Sequence, residues 1–183
     1  MNRLRAFCAD QSGTATIEFV FVIPIVMTIF MASAESSLYM ARHVLLERSV
    51  DLVVREIRLG NLDGLKANQL KSLICETSAM VHTLKDCIES MRIWMQPINT
   101  ADFKMKAPPR NCVDRDVAFN PLAEPGADEF KFGSDNEIML MSICLKEKPM
   151  FPTTIVGAQL VSDGEDDGNY ALITTTVFVN EPG

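Results

Sequence analysis

The chain has 183 residues, with 24 Asp and Glu against 17 Lys and Arg, a net charge of −7, and 48% hydrophobic residues. That balance argues against a nucleic-acid binder, because counterion release needs clustered Lys and Arg, and here the basic residues are scattered apart from Arg3 and Arg5. The length fits one domain or two small ones; with the first greasy stretch set aside, about 150 residues remain, enough for one modest core.

Residues 1–12 (MNRLRAFCADQS) are short, mixed and basic, and read as a leader. From Thr14 to Ala34 the only charged side chain is Glu18. As a helix rising 1.5 Å per residue, that stretch measures roughly 31 Å, about the hydrocarbon thickness of a bilayer. An ordinary signal peptide has a shorter apolar core, no acid within it, and a small-residue cleavage site at its end. Here the glycine, Gly13, precedes the run and the acid lies near its start. Pro24 removes one backbone hydrogen bond, which membrane helices tolerate. Arg3 and Arg5 favour a cytoplasmic N-terminus and export of the long acidic part.

From Glu35 to Leu59 there is no Pro or Gly, and Leu38, Val44, Leu45, Val50, Val53, Val54 and Ile57 fall close to helical spacing. One helix from Thr14 to Leu59 is the simplest reading, stopped by Gly60. A second helix is expected over Leu65–Leu84, then a strand over Cys87–Ile98 ended by Pro97. His43 and His82 read as surface or boundary residues. Residues Asn99–Ser134 are rich in Pro, Asp, Asn and Gly, a long irregular loop tethered through Cys112. Asn136–Lys146 and Tyr170–Asn180 read as two further strands, the last preceded by the turn-forming DGEDDGN. Helices followed by three strands predict an α+β fold, with an antiparallel sheet packed on the first helix.

Cys8 falls in the leader, which leaves Cys75, Cys87, Cys112 and Cys144 on the exported side. An even number of exported cysteines points to two disulfides with three possible pairings. With no CxxC and almost no His, a zinc site is not expected. Asp163, Glu165 and Asp167 with Gly168 match the opening of a calcium loop, but Thr174 stands where the closing Glu belongs, so they read as an acidic turn. There is no HExxH, P-loop, GxSxG or dinucleotide-binding glycine pattern, and no cofactor is implied.

A carboxylate inside a membrane helix is a functional hypothesis by default. Gly13 followed by Thr14-Ala15-Thr16-Ile17-Glu18-Phe19 resembles the prepilin peptidase site of type IV pilin-like proteins. The short leader, the G-[small]-x-x-x-E-F pattern, the early apolar run and Pro24 resemble in particular the TadE-like minor pilins, or pseudopilins, of the tight-adherence (Tad) pilus system. Thr176–Pro182 is similar to the terminal NEP of that family, and favours it over TadF-like or major pilins; the Cys75 and Cys87 pair resembles it too.

The resemblance implies cleavage between Gly13 and Thr14 by a prepilin peptidase, so that Glu18 becomes the fifth residue of the mature chain and pairs with the amine of an adjacent subunit, with Phe19 beside it in the assembly helix. It implies a structural protein rather than an enzyme, divided into a leader (1–13), a transmembrane helix (14–34) and an exported domain (35–183). Its implied partners are the prepilin peptidase, other Tad pilins and minor pilins, the inner-membrane assembly platform and the lipid bilayer. The implied location is the inner membrane with a periplasmic C-terminal domain, or an extracellular pilus. Among the pairings, Cys75–Cys87 and Cys112–Cys144 are favoured as the more local, closing loops of about 13 and 33 residues worth roughly 3 and 4 kcal/mol in the chain-entropy picture. The competing reading is a single-pass anchored periplasmic or surface binding protein in which Glu18 is incidental. A mature N-terminus at Thr14 or at Met1 separates the two.

Overall fold

The computed structural model describes residues 14–62, 64–78, 83–101, 107–109, 112–113, 129–162 and 168–181. The uninterrupted helical pattern of the N-terminal third produces one helix, α1, over Thr14–Arg58, which continues through Pro24 without a break in the helix. It ends where the sequence places a glycine. Gly60 adopts φ +72°, its N–H donates to the Ile57 carbonyl and the Asn61 N–H reaches back to the Glu56 carbonyl, which satisfies carbonyls the helix would leave open. Positive φ is cheap only for a residue without Cβ, so the stop needs this glycine.

The stretch expected as one helix over Leu65–Leu84 is interrupted. Helix α2 spans Ala67–Thr77 and leaves the helical region at Ser78; helix α3 starts anew at Leu84 and runs to Ser90. The restart is local chemistry: the Thr83 hydroxyl accepts from the Asp86 N–H at 3.3 Å, an N-cap that opens the new helix. The strand expected from Cys87 therefore begins later, as β1 over Met91–Pro97, with Cys87 in α3. Strand β2 spans Ile138–Glu147 and β3 spans Tyr170–Val179, joined to β1 in one antiparallel sheet of order β1-β2-β3.

Register sorts the side chains. Ile93 lies opposite Ile143 and Met95 opposite Met141, while Met139 faces Phe178 and Leu145 faces Leu172. These residues, buried with Met91 and Tyr170, form one sheet face, and they pack with Leu46, Val50, Val53, Val54 and Ile57 of α1 and Leu70 and Ile74 of α2. The α+β arrangement with a sheet on the first helix follows directly. Within the stripe expected on α1, the core position is Leu46 rather than its neighbours: Leu46 is fully buried, whereas Val44 is 60% exposed.

Cys75 is joined to Cys87, tying α2 to α3 with Cα atoms 6.0 Å apart, and Cys112 is joined to Cys144 of β2 at 5.4 Å. The second bond attaches the irregular segment to the sheet. The far end of that segment returns as Glu129–Lys131: the Met95 N–H donates to the Glu129 carbonyl at 2.8 Å and the Lys131 N–H to the Met95 carbonyl at 2.9 Å. The β1 edge is thus paired at Met95 by chain that is not itself a strand.

One element has no counterpart in the sequence pattern, helix α4 over Ile155–Ser162. Thr154 organises its start. The Thr154 hydroxyl accepts from the Gly157 N–H at 3.1 Å and donates to the Phe151 carbonyl at 2.8 Å. A Cβ at position 157 would collide with that same Phe151 carbonyl oxygen, so glycine is what lets the helix sit tight on the loop. Thr154→Ala is expected to cost about 1 kcal/mol, read as a lower urea midpoint with unchanged slope for the full chain in detergent.

Candidate functional site

The candidate site is α1 itself and the place where it meets the domain. From Ile17 to Phe30 the large apolar side chains are exposed around the whole circumference, Phe19 at 63% and Phe21 at 71% among them. Among the described residues this is the one helix long and apolar enough to cross a membrane, and none of its apolar window is buried against the chain. A core helix of a soluble domain would be covered. This one needs a surrounding that the chain does not supply.

Polar groups along the run are turned inward. The Thr28 hydroxyl donates to the Pro24 carbonyl at 2.7 Å and the Ser33 hydroxyl to the Phe30 carbonyl at 2.8 Å. These bonds keep the Thr28 and Ser33 hydroxyl protons from facing hydrocarbon unsatisfied. Glu18 is the exception: it is exposed, and no described residue pairs with its carboxylate. Thr14 opens α1, and Gly13 lies outside the described residues.

Coverage begins at Met31 and Ala32 and is complete at Glu35, which is fully buried. The Glu35 Oε2 accepts the Phe151 N–H at 2.8 Å, which fastens the loop before α4 to the helix. Its Oε1 has no hydrogen-bond partner among the described residues. Two turns on, the Arg42 guanidinium donates to the Tyr170 hydroxyl at 2.5 Å and to the Lys148 carbonyl at 3.0 Å, and lies 3.8 Å from the buried Glu147 carboxylate. Burial raises the Tyr170 hydroxyl pKa above its ordinary value, and the hydrogen bond from Arg42 offsets part of that rise. Tyr39 packs edge-on against Tyr170, ring centroids 5.5 Å apart. His43, half-buried as expected, contacts the Ile173 carbonyl. Sequence reasoning missed this junction. Its one visible sign was a carboxylate placed directly after the last residue of the apolar run.

The C-terminal residues have a structural part of their own. Asn180 closes the sheet by exchanging backbone bonds with residues 136 and 137, donating from its N–H to the Glu137 carbonyl at 3.0 Å and accepting the Asn136 N–H at 2.7 Å. Glu181 then pairs with Arg58 in the last turn of α1 at 2.9 Å. Two residues of the NEP terminus therefore tie the last strand to the end of the first helix.

Asp163, Glu165 and Asp167 lie outside the described residues, as do Cys8 and His82. Among the described residues no group of three or more His, Cys, Asp or Glu is arranged to hold a metal ion.

Compared with known families, residues 13–55 match the model of the family described as TadE-like protein. No curated protein and no solved structure matches the chain. The matched segment begins at the glycine before α1 and ends three residues before the helix does, so it contains Glu18, the exposed apolar run, Glu35 and Arg42. A long apolar helix fits a membrane anchor, and a Tad pilus family fits a place in the cell envelope. Over this first helix the chain is similar to the TadE-like family, which is consistent with a pilin-related protein of the Tad system.

Proposed function

We propose that the chain is a minor pilin or pseudopilin of the Tad system, made as a precursor and cut between Gly13 and Thr14 by a prepilin peptidase. The observation that carries this reading is the bare helix: a run uncovered from Ile17 to Phe30, with an exposed carboxylate near its start that no described residue pairs with, leading into a packed domain. In this reading residues 1–13 are the cytoplasmic leader, 14–34 cross the inner membrane, and 35–183 form a periplasmic domain whose two disulfides suit an oxidising compartment. The chain is not an enzyme but the substrate of one. Its partners are the peptidase, other Tad pilins and minor pilins, and the inner-membrane assembly platform.

Cleavage supplies what Glu18 lacks. A new amine on Thr14, next to the positive end of the helix dipole, gives a neighbouring helix a cation to set against its carboxylate in a medium where an unpaired charge is costly. Phe19 follows Glu18 and is 63% exposed, available to pack against the same neighbour. Glycine before the cut allows the backbone to enter a narrow protease cleft. Gly13→Ala, or a bulkier replacement, is expected to leave the precursor uncut when it is co-expressed with the peptidase. An immunoblot showing the same mature size as the unaltered chain would count against the assignment.

A further inference from the structure

Outside the first helix, the longest run without a charged residue or histidine is 149–162 (PMFPTTIVGAQLVS), in a chain where 22% of residues are charged. Its apolar side chains are not tucked away. Ile155 is 79% exposed, the most of any large hydrophobic residue described, and Met150 is 58% exposed. Two such residues five positions apart in an uncharged loop call for a covering surface.

The position of the loop says which. The Phe151 N–H is 2.8 Å from the carboxylate of Glu35, the first residue after the apolar run. Side chains on a helix tilt toward its N-terminus, so a group bonded to Glu35 lies beside the preceding turn, at the level of residues 31–34. Helix α4 packs against α1, and α1 becomes partly covered from Met31, before its apolar run has ended. The Thr154 cap and the close approach at Gly157 fix the loop in place, so its exposed residues do not fold inward. Exposed Lys148, directly before the run, sets a cation where anionic headgroups would lie.

We propose that the 149–155 loop and the first turn of α4 are a second membrane contact, with Met150 and Ile155 resting in the boundary between headgroups and acyl chains of the bilayer that α1 crosses. The contact is continuous with the spanning helix and fixes the tilt of the domain over the membrane. It rests on the reading that residues 14–34 span the bilayer.

The test uses the full chain, reconstituted at low protein-to-lipid ratio in vesicles of phosphatidylethanolamine and phosphatidylglycerol brominated near the headgroup end of the acyl chains. Three variants, Ile155→Trp, Phe30→Trp and Val177→Trp, are compared after subtraction of the native signal from buried Trp94. The expected result is loss of most emission from positions 155 and 30, with position 177, on the exposed face of β3, unquenched. Quenching at 30 but not at 155 overturns the loop contact alone. An absence of quenching at both overturns the spanning reading with it. Protection of position 155 from aqueous acrylamide without bromolipid quenching assigns the surface to protein and also overturns the proposal. Met150→Trp repeats the measurement if the Ile155 variant does not fold, with the same outcomes.

Discussion

Replacing Arg42 by methionine is expected to destabilise the full chain by about 3 kcal/mol, the lower end of the cost of removing one partner from a buried charge pair. The guanidinium satisfies three groups at once, the Tyr170 hydroxyl, the Lys148 carbonyl and the Glu147 carboxylate. The Arg42 side chain is only 17% exposed and that of Glu147 only 5%, so water cannot readily take its place. Methionine keeps much of the length and the packing but none of the donors. Denaturation in urea, with the chain in detergent, should show the lower midpoint. The double variant with Glu147→Gln should recover part of the loss, because the carboxylate that lost its cation is then neutral. If Arg42→Met shifted stability by no more than a surface substitution does, about 0.5 kcal/mol, the junction would not be holding the helix to the domain.

Glu18→Ala is expected to leave the chain at its normal level in the membrane while abolishing most pilus output. The apolar run, which sets insertion, is unchanged or slightly strengthened by losing an acid. What is lost is the charge that an adjacent amine would meet. Glu18→Gln separates charge from shape: it keeps the size and hydrogen-bonding capacity of the side chain, and it should fail in the same way. Membrane fractionation gives the level, and shearing pili from cells gives the output. Normal output from either variant removes Glu18 from the assembly mechanism.

Much of the fold was legible because it depends on short-range pattern. The helix Thr14–Arg58 shows itself through the absence of glycine and the position of Gly60, and β2 and β3 through apolar, β-branched runs between turn residues. The errors have physical causes. The helical pattern expected across residues 65–84 continues past Ser78, and only the weak signal of Thr83 capping Asp86 marks the restart. The buried side of α1 includes Glu35 and Ser49, polar residues that blur the apolar period and made Val44 look like core. Helix α4 follows Pro149 and Pro152 and carries little amphipathic contrast, so nothing local marks it as a helix except the spacing of Thr154 and Gly157.

The candidate site divides along the same line. Gly13, Glu18 and the apolar run are consecutive, and the sequence alone is enough to single them out. The junction is not, because it joins Glu35 to Phe151 and Arg42 to Tyr170 across more than 100 positions of chain. Long-range polar contacts of that kind leave no periodicity. Their effect is to fix where the bare helix stops and the domain begins, which is the boundary on which both the assembly reading and the second membrane contact depend.

The most direct test of the central claim is the N-terminal sequence, with intact mass, of the protein purified from cells that carry a prepilin peptidase. A pilin-like subunit must begin at Thr14, with Glu18 as its fifth residue. A protein in the membrane that still begins at Met1 would contradict the account and leave α1 as a plain anchor.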